Sequence, residues 1–307
     1  MICIDYIGGG NIRKLSIGGV IMQPKKACII LISLLCIIPT IIMVLFMVSM
    51  SFMSGSQIEQ YYGVIDTGNN MMQFASLKLF PTDWSFEQYK SILYDNSDFW
   101  FYFWNSVSYT LPSVIIGCIV SVCGGYAFAK FRFPLKKFWL VVFIVIMMIP
   151  YQVLIPATLN FYKSLSFLNN RVNVILPNIF TGFGTYLLYK FFECVPDEQI
   201  EAAKLDGCNS FIILIRIILP QCKNAICAYI ILSTIDFWNL VEQPIAYLTD
   251  KFKYPVSAAF TEFSKQGIGQ QAASSIVFII PLLILFILYK DNLIEGIEKS
   301  VVGSSKR

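Results

Sequence analysis

The chain of 307 residues contains no histidine at all, and charged residues make up only 14% of it. Without histidine neither a Ser/His nor a Cys/His catalytic set can be assembled, and the commonest zinc ligand is missing. Nine cysteines are present, but no two of them stand as C-x-x-C, so no motif of the zinc or thioredoxin type is formed. The phosphate-cradling pattern G-x-x-x-x-G-K-[ST] is absent as well, so the chain is not expected to bind ATP itself. A net charge of +4 spread over separate loops is no basic face, which excludes a nucleic-acid binder.

What fills the chain instead is apolar: 56% hydrophobic residues and a mean hydropathy of +0.66. A soluble domain would carry about a quarter charged residues, so the expected class is an all-α polytopic membrane protein. Cys28, Cys36, Cys118, Cys123 and Cys227 fall in apolar spans, and Cys3, Cys194, Cys208 and Cys222 in segments read as cytoplasmic. None falls in an external loop, so no disulfide framework is implied.

Six membrane helices are expected. A basic head, 1–26, carries Arg13, Lys14, Lys25 and Lys26, and no charge follows from Ala27 to Ile58. That run is roughly twice the apolar core of a secretory signal, so it reads as an uncleaved first span at 27–53. A polar segment, 54–98, is placed outside. The core, 99–289, then holds spans within 99–129 and near 138–160, 172–192, 223–243 and 270–289, followed by a tail at 290–307. Pro150 and Pro156 interrupt the third span, as membrane helices allow. Gly117, Gly124 and Gly125 suit close helix packing in the second.

Lys and Arg give the orientation. With both termini inside, four stand in the head, four at 130, 132, 136 and 137, four at 190, 204, 216 and 223, and four at 290, 299, 306 and 307. The seven left (78, 90, 163, 171, 251, 253, 265) fall in longer outside loops, the bias that the positive-inside rule describes.

The connection 195–220, VPDEQIEAAKLDGCNSFIILIRIILP, is charged where its flanks are apolar. Pro196 suits a helix start, and Asp197 and Glu198 complement the positive end of the helix dipole. Glu201, Ala202 and Ala203 continue the helix, Gly207 offers a left-handed stop, and Asn209 caps a second helix that Pro220 closes. Small Ala202 and Ala203 would let a partner approach the backbone, and Glu201 and Asp206 could meet its cations. An ordinary helix-turn-helix link between two spans is the other reading these residues permit.

Glu201-Ala202-Ala203, Gly207 and then Leu219-Pro220 resemble the EAA loop of the membrane subunits of binding-protein-dependent ABC importers. Phe80–Tyr89, Asn105-Ser106, Tyr126–Phe131, Ile149-Pro150, Ile155-Pro156, Trp238-Asn239 with Pro244, and Glu295–Gly303 are similar to further motifs of its carbohydrate-uptake branch, although the tail lacks the usual GA and KG. The resemblance implies an importer half. Its partners would be a second related permease subunit, two ATPase subunits that alone bind ATP-Mg, an extracytoplasmic solute-binding protein and the bilayer, with no cofactor in this chain. It further implies that Glu201, Ala202, Ala203, Asp206 and Gly207 couple to the ATPase. Aromatic, amide and carboxylate groups hold sugars, so Tyr151, Asn178, Asp236, Trp238 and Asn239 are the expected pathway residues. Asp236 and Glu242 could equally be solvated at the outer interface. An importer branch for peptides or amino acids is the nearest alternative; a secondary transporter is the next, but no repeated halves are visible.

Overall fold

The computed structural model describes the backbone of residues 15–17, 20–22, 24–67, 78–95, 98–263 and 267–304, and the side chains of 33–62, 78–95, 98–263 and 267–291. Arg13 and Lys14 of the expected head, Lys306 and Arg307 of the tail, and the side chains of the 295–303 motif lie outside those residues. The chain falls into two compact units, Met1–Tyr89 and Lys90–Arg307.

In the first unit a two-stranded antiparallel ladder, β1 (Leu15–Ile17) with β2 (Val20–Met22), is the one departure from helix among the described elements. Helix α1 (Pro24–Ser51) starts on a proline, where no intrahelical N–H is lost. Helix α2 (Gly55–Thr67) and the short α3 (Glu87–Lys90) follow. The Phe80–Tyr89 stretch folds back on the end of α1: the Phe52 ring lies 5.2–5.5 Å from those of Trp84, Phe86 and Tyr89. Gln57 Nε2 donates to the Asp83 carbonyl at 3.2 Å, and the Gly55 N–H to Glu87 Oε2 at 3.1 Å.

The second unit is built on α4 (Asp98–Lys130), 33 residues long. After it come α5 (Lys136–Met148), α6 (Tyr151–Ser164), α7 (Val172–Ile179), α8 (Gly182–Glu193) and α9 (Asp197–Leu205). Next stand α10 (Ser210–Ile213), a π-helical turn (Leu214–Ile218) and α11 (Leu219–Gln221). The last are α12 (Lys223–Trp238), α13 (Glu242–Tyr247), α14 (Val256–Phe263) and α15 (Ile268–Ser304).

Among the described residues three helices are long and apolar enough to cross a membrane, Ser33–Ser51, Asp98–Lys130 and Ile268–Asp291, and five if each of two bent pairs counts as one span. Three of the expected spans therefore change shape. The third, 138–160, turns by 92° between α5 and α6, because Ile149 is held extended ahead of Pro150 (φ −75°, ψ 119°). The fourth, 172–192, breaks where Phe180 and Thr181 leave the helical region between α7 and α8. The fifth, 223–243, ends early at Trp238 and bends by 80° from the preceding Ser210–Gln221. Nor does Pro220 close its helix. It lies inside α11, behind the π turn, whose wider ladder accommodates the missing N–H, and the chain turns instead at Cys222.

Glycines set the approach of α4 to α8. A Cβ on Gly125 would lie 2.9 Å from the Tyr189 nitrogen and 3.0 Å from Leu188 Cβ, and one on Gly124 would lie 2.9 Å from Thr185 Cγ2. Two turns earlier on α4, a Cβ on Gly117 would lie 2.7 Å from the Tyr229 hydroxyl of α12. Helices without a hydrophobic drive between them gain most from such close van der Waals contact. The Asn105-Ser106 pair fastens the loop after α13 to α4. Asn105 Nδ2 donates to the Phe252 and Tyr254 carbonyls at 2.6 and 3.1 Å, Ser106 Oγ accepts the Val256 N–H at 2.9 Å, and Arg171 Nη2 donates to Asn105 Oδ1 at 2.7 Å. These bonds satisfy backbone groups that apolar surroundings would otherwise leave unpaired.

Candidate functional site

The 195–220 connection is closed by local chemistry. Gly207 sits at φ +80°, its N–H bonds the Lys204 carbonyl at 3.0 Å, and the Cys208 N–H bonds the Ala203 carbonyl at 2.9 Å. That pair of bonds is the Schellman arrangement, which needs a left-handed residue where Gly207 stands. Two residues on, Asn209 Oδ1 accepts the Ile212 N–H at 2.8 Å and caps α10.

Tertiary packing decides which face of α9 is free. Ile200 and Ala203 are buried in a cluster with Leu188, Phe192, Ile213 and Ile218, so Ala203 packs against this chain. Burying Ile200 contributes about 2 kcal/mol toward holding α9 in place. Glu201, Ala202 and Asp206 are exposed, and beside them stands Leu205, 90% exposed. Phe211 is 67% and Ile215 46% exposed, one turn apart along the next helix. Sequence reasoning does not single out Leu205 or Phe211; an apolar residue directly before Asp206-Gly207, in an otherwise polar stretch, is the signal that points to the first.

Lys130, which the sequence marks only as a charge on the cytoplasmic side, has a structural part as well. Its ammonium donates to the Val195 carbonyl at 2.5 Å and to Asp197 Oδ1 at 2.7 Å, joining the end of α4 to the start of α9. The Lys130 hydrogen bond, helped by the charges of Lys130, Arg132 and Lys136 against slight burial, holds the Asp197 carboxyl below the usual aspartate range. With the folded value below the unfolded one, the pairing stabilises the loop above pH ~4 and is lost as pH falls through the folded value. Because Asp197 is 72% exposed, solvent screening keeps the effect small. Lys130→Met is expected to raise amide hydrogen exchange across 197–205 roughly threefold at neutral pH, and an unchanged exchange rate would remove Lys130 from the loop's support. A cavity of about 500 Å³ opens beside this pair, lined by Lys130, Arg132, Asp197, Glu201 and Lys204 among others.

A second cavity, about 790 Å³, lies among α5, α6, α7, α12 and α13. Four of the five residues expected along a pathway line it: Tyr151, Asn178, Asp236 and Asn239. They come together because the bend at Pro150, the break at 180–181 and the end of α12 all face one space. Trp238 is placed elsewhere. It is 5% exposed, its Nε1 donates to the Phe278 carbonyl at 3.1 Å, and its ring stacks on Phe278 at 5.8 Å, which makes it packing between α12 and α15. Gln243 is a lining residue the sequence does not single out; its Oε1 accepts from Asn178 Nδ2 at 3.1 Å. The Tyr151 hydroxyl donates to Glu242 Oε2. Of the two acids left open by the sequence, Asp236 lines the cavity, and Glu242 holds a lining residue from behind.

Known proteins are similar to this chain in sequence, and a solved structure is similar to it in fold. The chain is 28% identical to the arabinooligosaccharides transport system permease protein AraQ of Halalkalibacterium halodurans, over 71% of this chain and 79% of the relative. It is 28% identical to the diacetylchitobiose uptake system permease protein DasC of Streptomyces coelicolor, over 73% and 82%. To the sn-glycerol-3-phosphate transport system permease protein UgpE of Salmonella typhi it is 26% identical, over 67% and 75%. Among solved structures, a bacterial ABC transporter involved in the import of the acidic polysaccharide alginate shares the fold, with a TM-score of 0.70 over 87% of this chain and 96% of that one, at 22% identity. The model of the binding-protein-dependent transport system inner membrane component matches residues 117–299, well over half of the chain and inclusive of both the 195–220 loop and the larger cavity, and the chain belongs to that family.

Proposed function

We propose that the chain is one membrane-spanning half of an ATP-driven importer for a sugar or sugar derivative. The observation that carries this is the short helix α9, with Glu201, Ala202, Leu205 and Asp206 free on one face and its other face packed into the span-bearing unit. Such a face, fixed to the core from behind, suits a partner that docks on it and moves. The relatives' names, which speak of arabinooligosaccharide, diacetylchitobiose and glycerol-phosphate transport, support the sugar class. In this reading the chain crosses the membrane six times with both termini in the cytoplasm, α7 and α8 together serving as the fourth crossing. A second related permease completes the pathway, two ATPase subunits below bind ATP-Mg, and an extracytoplasmic binding protein delivers the cargo.

The mechanism is rigid-body coupling. Closure of the ATPase pair displaces α9. Through the buried Ile200 and Ala203, and through Lys130, that displacement passes to α8, α12 and α4, which bound or adjoin the cavity and open it to one side at a time. The test is a tagged pull-down from membranes in mild detergent, with co-purifying chains identified and ATPase activity assayed. A second permease and an ATPase subunit, both lost from Glu201→Lys/Leu205→Glu, support the reading. Recovery of the chain alone, with transport intact and no ATPase activity, overturns it.

A further inference from the structure

We propose that the 790 Å³ cavity selects its cargo by charge, taking neutral or cationic saccharides and excluding those that carry a carboxylate or phosphate, with Asp236 as the specificity-determining residue. This rests on the importer reading above.

The lining carries the argument. No lysine or arginine stands among the described residues around the cavity, and its one acid, Asp236, is exposed with no hydrogen-bond partner or ion pair among the described residues. A second carboxylate, Glu242, stands directly behind Tyr151. The neutral groups add to this polarity. Asn178 has spent both amide hydrogens, on the Val174 carbonyl at 2.7 Å and on Gln243 Oε1 at 3.1 Å, and Tyr151 has spent its hydroxyl hydrogen on Glu242. Asn239 has committed one amide hydrogen to the Ile235 carbonyl at 2.7 Å. Asn178 and Tyr151 have mostly oxygen lone pairs left to offer, while Asn239, Gln152 and Gln243 on the same wall keep amide N–H groups, so the charge of Asp236 sets the balance of the lining. A ligand rich in O–H or N–H donors satisfies the carboxylate and the lone pairs beside it; an anionic group meets a like charge that no lysine or arginine in the described lining offsets. Discrimination of this kind comes from the repulsive element as much as from the attractive ones.

The experiment removes the binding protein, whose own preference would mask that of the cavity. The assembled membrane complex, held in nanodiscs, is dialysed at pH ~7.5 against three labelled disaccharides of similar size: a cationic glucosamine disaccharide, neutral diacetylchitobiose, and an anionic disaccharide containing glucuronate. Wild type should bind the anion at least about tenfold more weakly than the neutral sugar, the size of one like-charge contact in a partly hydrated cavity. Asp236→Asn should close that gap to within about threefold, and Asp236→Lys should reverse the order. Equal binding of anion and neutral sugar by wild type, or an order unchanged in both variants, overturns the proposal while leaving the importer reading standing. Binding of none of the three by a complex that still hydrolyses ATP would instead remove the cavity as a sugar site, and the proposal with it.

Discussion

Gly207→Val is expected to reduce ATP-driven uptake by roughly tenfold while Gly207→Asn stays within about twofold of wild type. The reason is backbone conformation and not space. A Cβ at Gly207 would meet nothing within 4 Å, but φ is +80°, a region that costs a side-chain-bearing residue about 1–2 kcal/mol and a β-branched one more. Valine therefore depopulates the turn that ends α9 and loosens the two bonds to the Ala203 and Lys204 carbonyls, whereas asparagine tolerates the left-handed region. ATPase activity of the assembled complex, measured beside uptake in proteoliposomes, separates coupling from folding: Gly207→Val should keep hydrolysis and lose transport. Loss with asparagine as severe as with valine would show that the position serves close approach of a partner and not the turn.

Gly184→Ala should have the largest effect on stability. Its Cβ would overlap Ser121 Oγ and Tyr229 Cε2 and lie 2.9 Å from Tyr229 Cδ2, and both neighbours are themselves fully buried. Neither can move far, since Tyr229 is wedged against α4, its hydroxyl beside Gly117. Overpacking of this kind costs on the order of 3 kcal/mol, visible as a lower melting temperature and yield of the purified protein. Gly124→Ala should be milder, because the obstacle there is the small, rotatable side chain of Thr185. If the two alanine variants melt alike, the seam among α4, α8 and α12 is softer than these distances imply.

Much of the 195–220 loop is legible in the sequence alone. Its start at Pro196, stop at Gly207 and cap at Asn209 follow from preferences of single residues for particular backbone conformations, and these need no partner to act. The apolar spans are legible for the same kind of reason, since hydropathy over some twenty residues sums to a large transfer energy whatever the neighbours do. Pro150 can be read as an interruption, because it constrains the residue before it, but not as a 92° turn, whose direction depends on what α5 and α6 pack against. Pro220 misleads, because a π turn ahead of it carries the helix past the missing N–H.

The sequence by itself determined the class of protein, the apolar runs that become its long helices and the start, stop and cap at Pro196, Gly207 and Asn209, since each depends on composition or on interactions a few residues apart. Only the tertiary structure decided that Ala203 turns inward while Ala202 and Leu205 stay free, that Trp238 packs on Phe278, and that Tyr151, Asn178, Asp236 and Asn239 share one cavity. Those outcomes join residues far apart in the numbering, Tyr151 with Asn239 the most distant of them, and such pairings are set by which helix faces bury together, a property that belongs to no single segment of the chain.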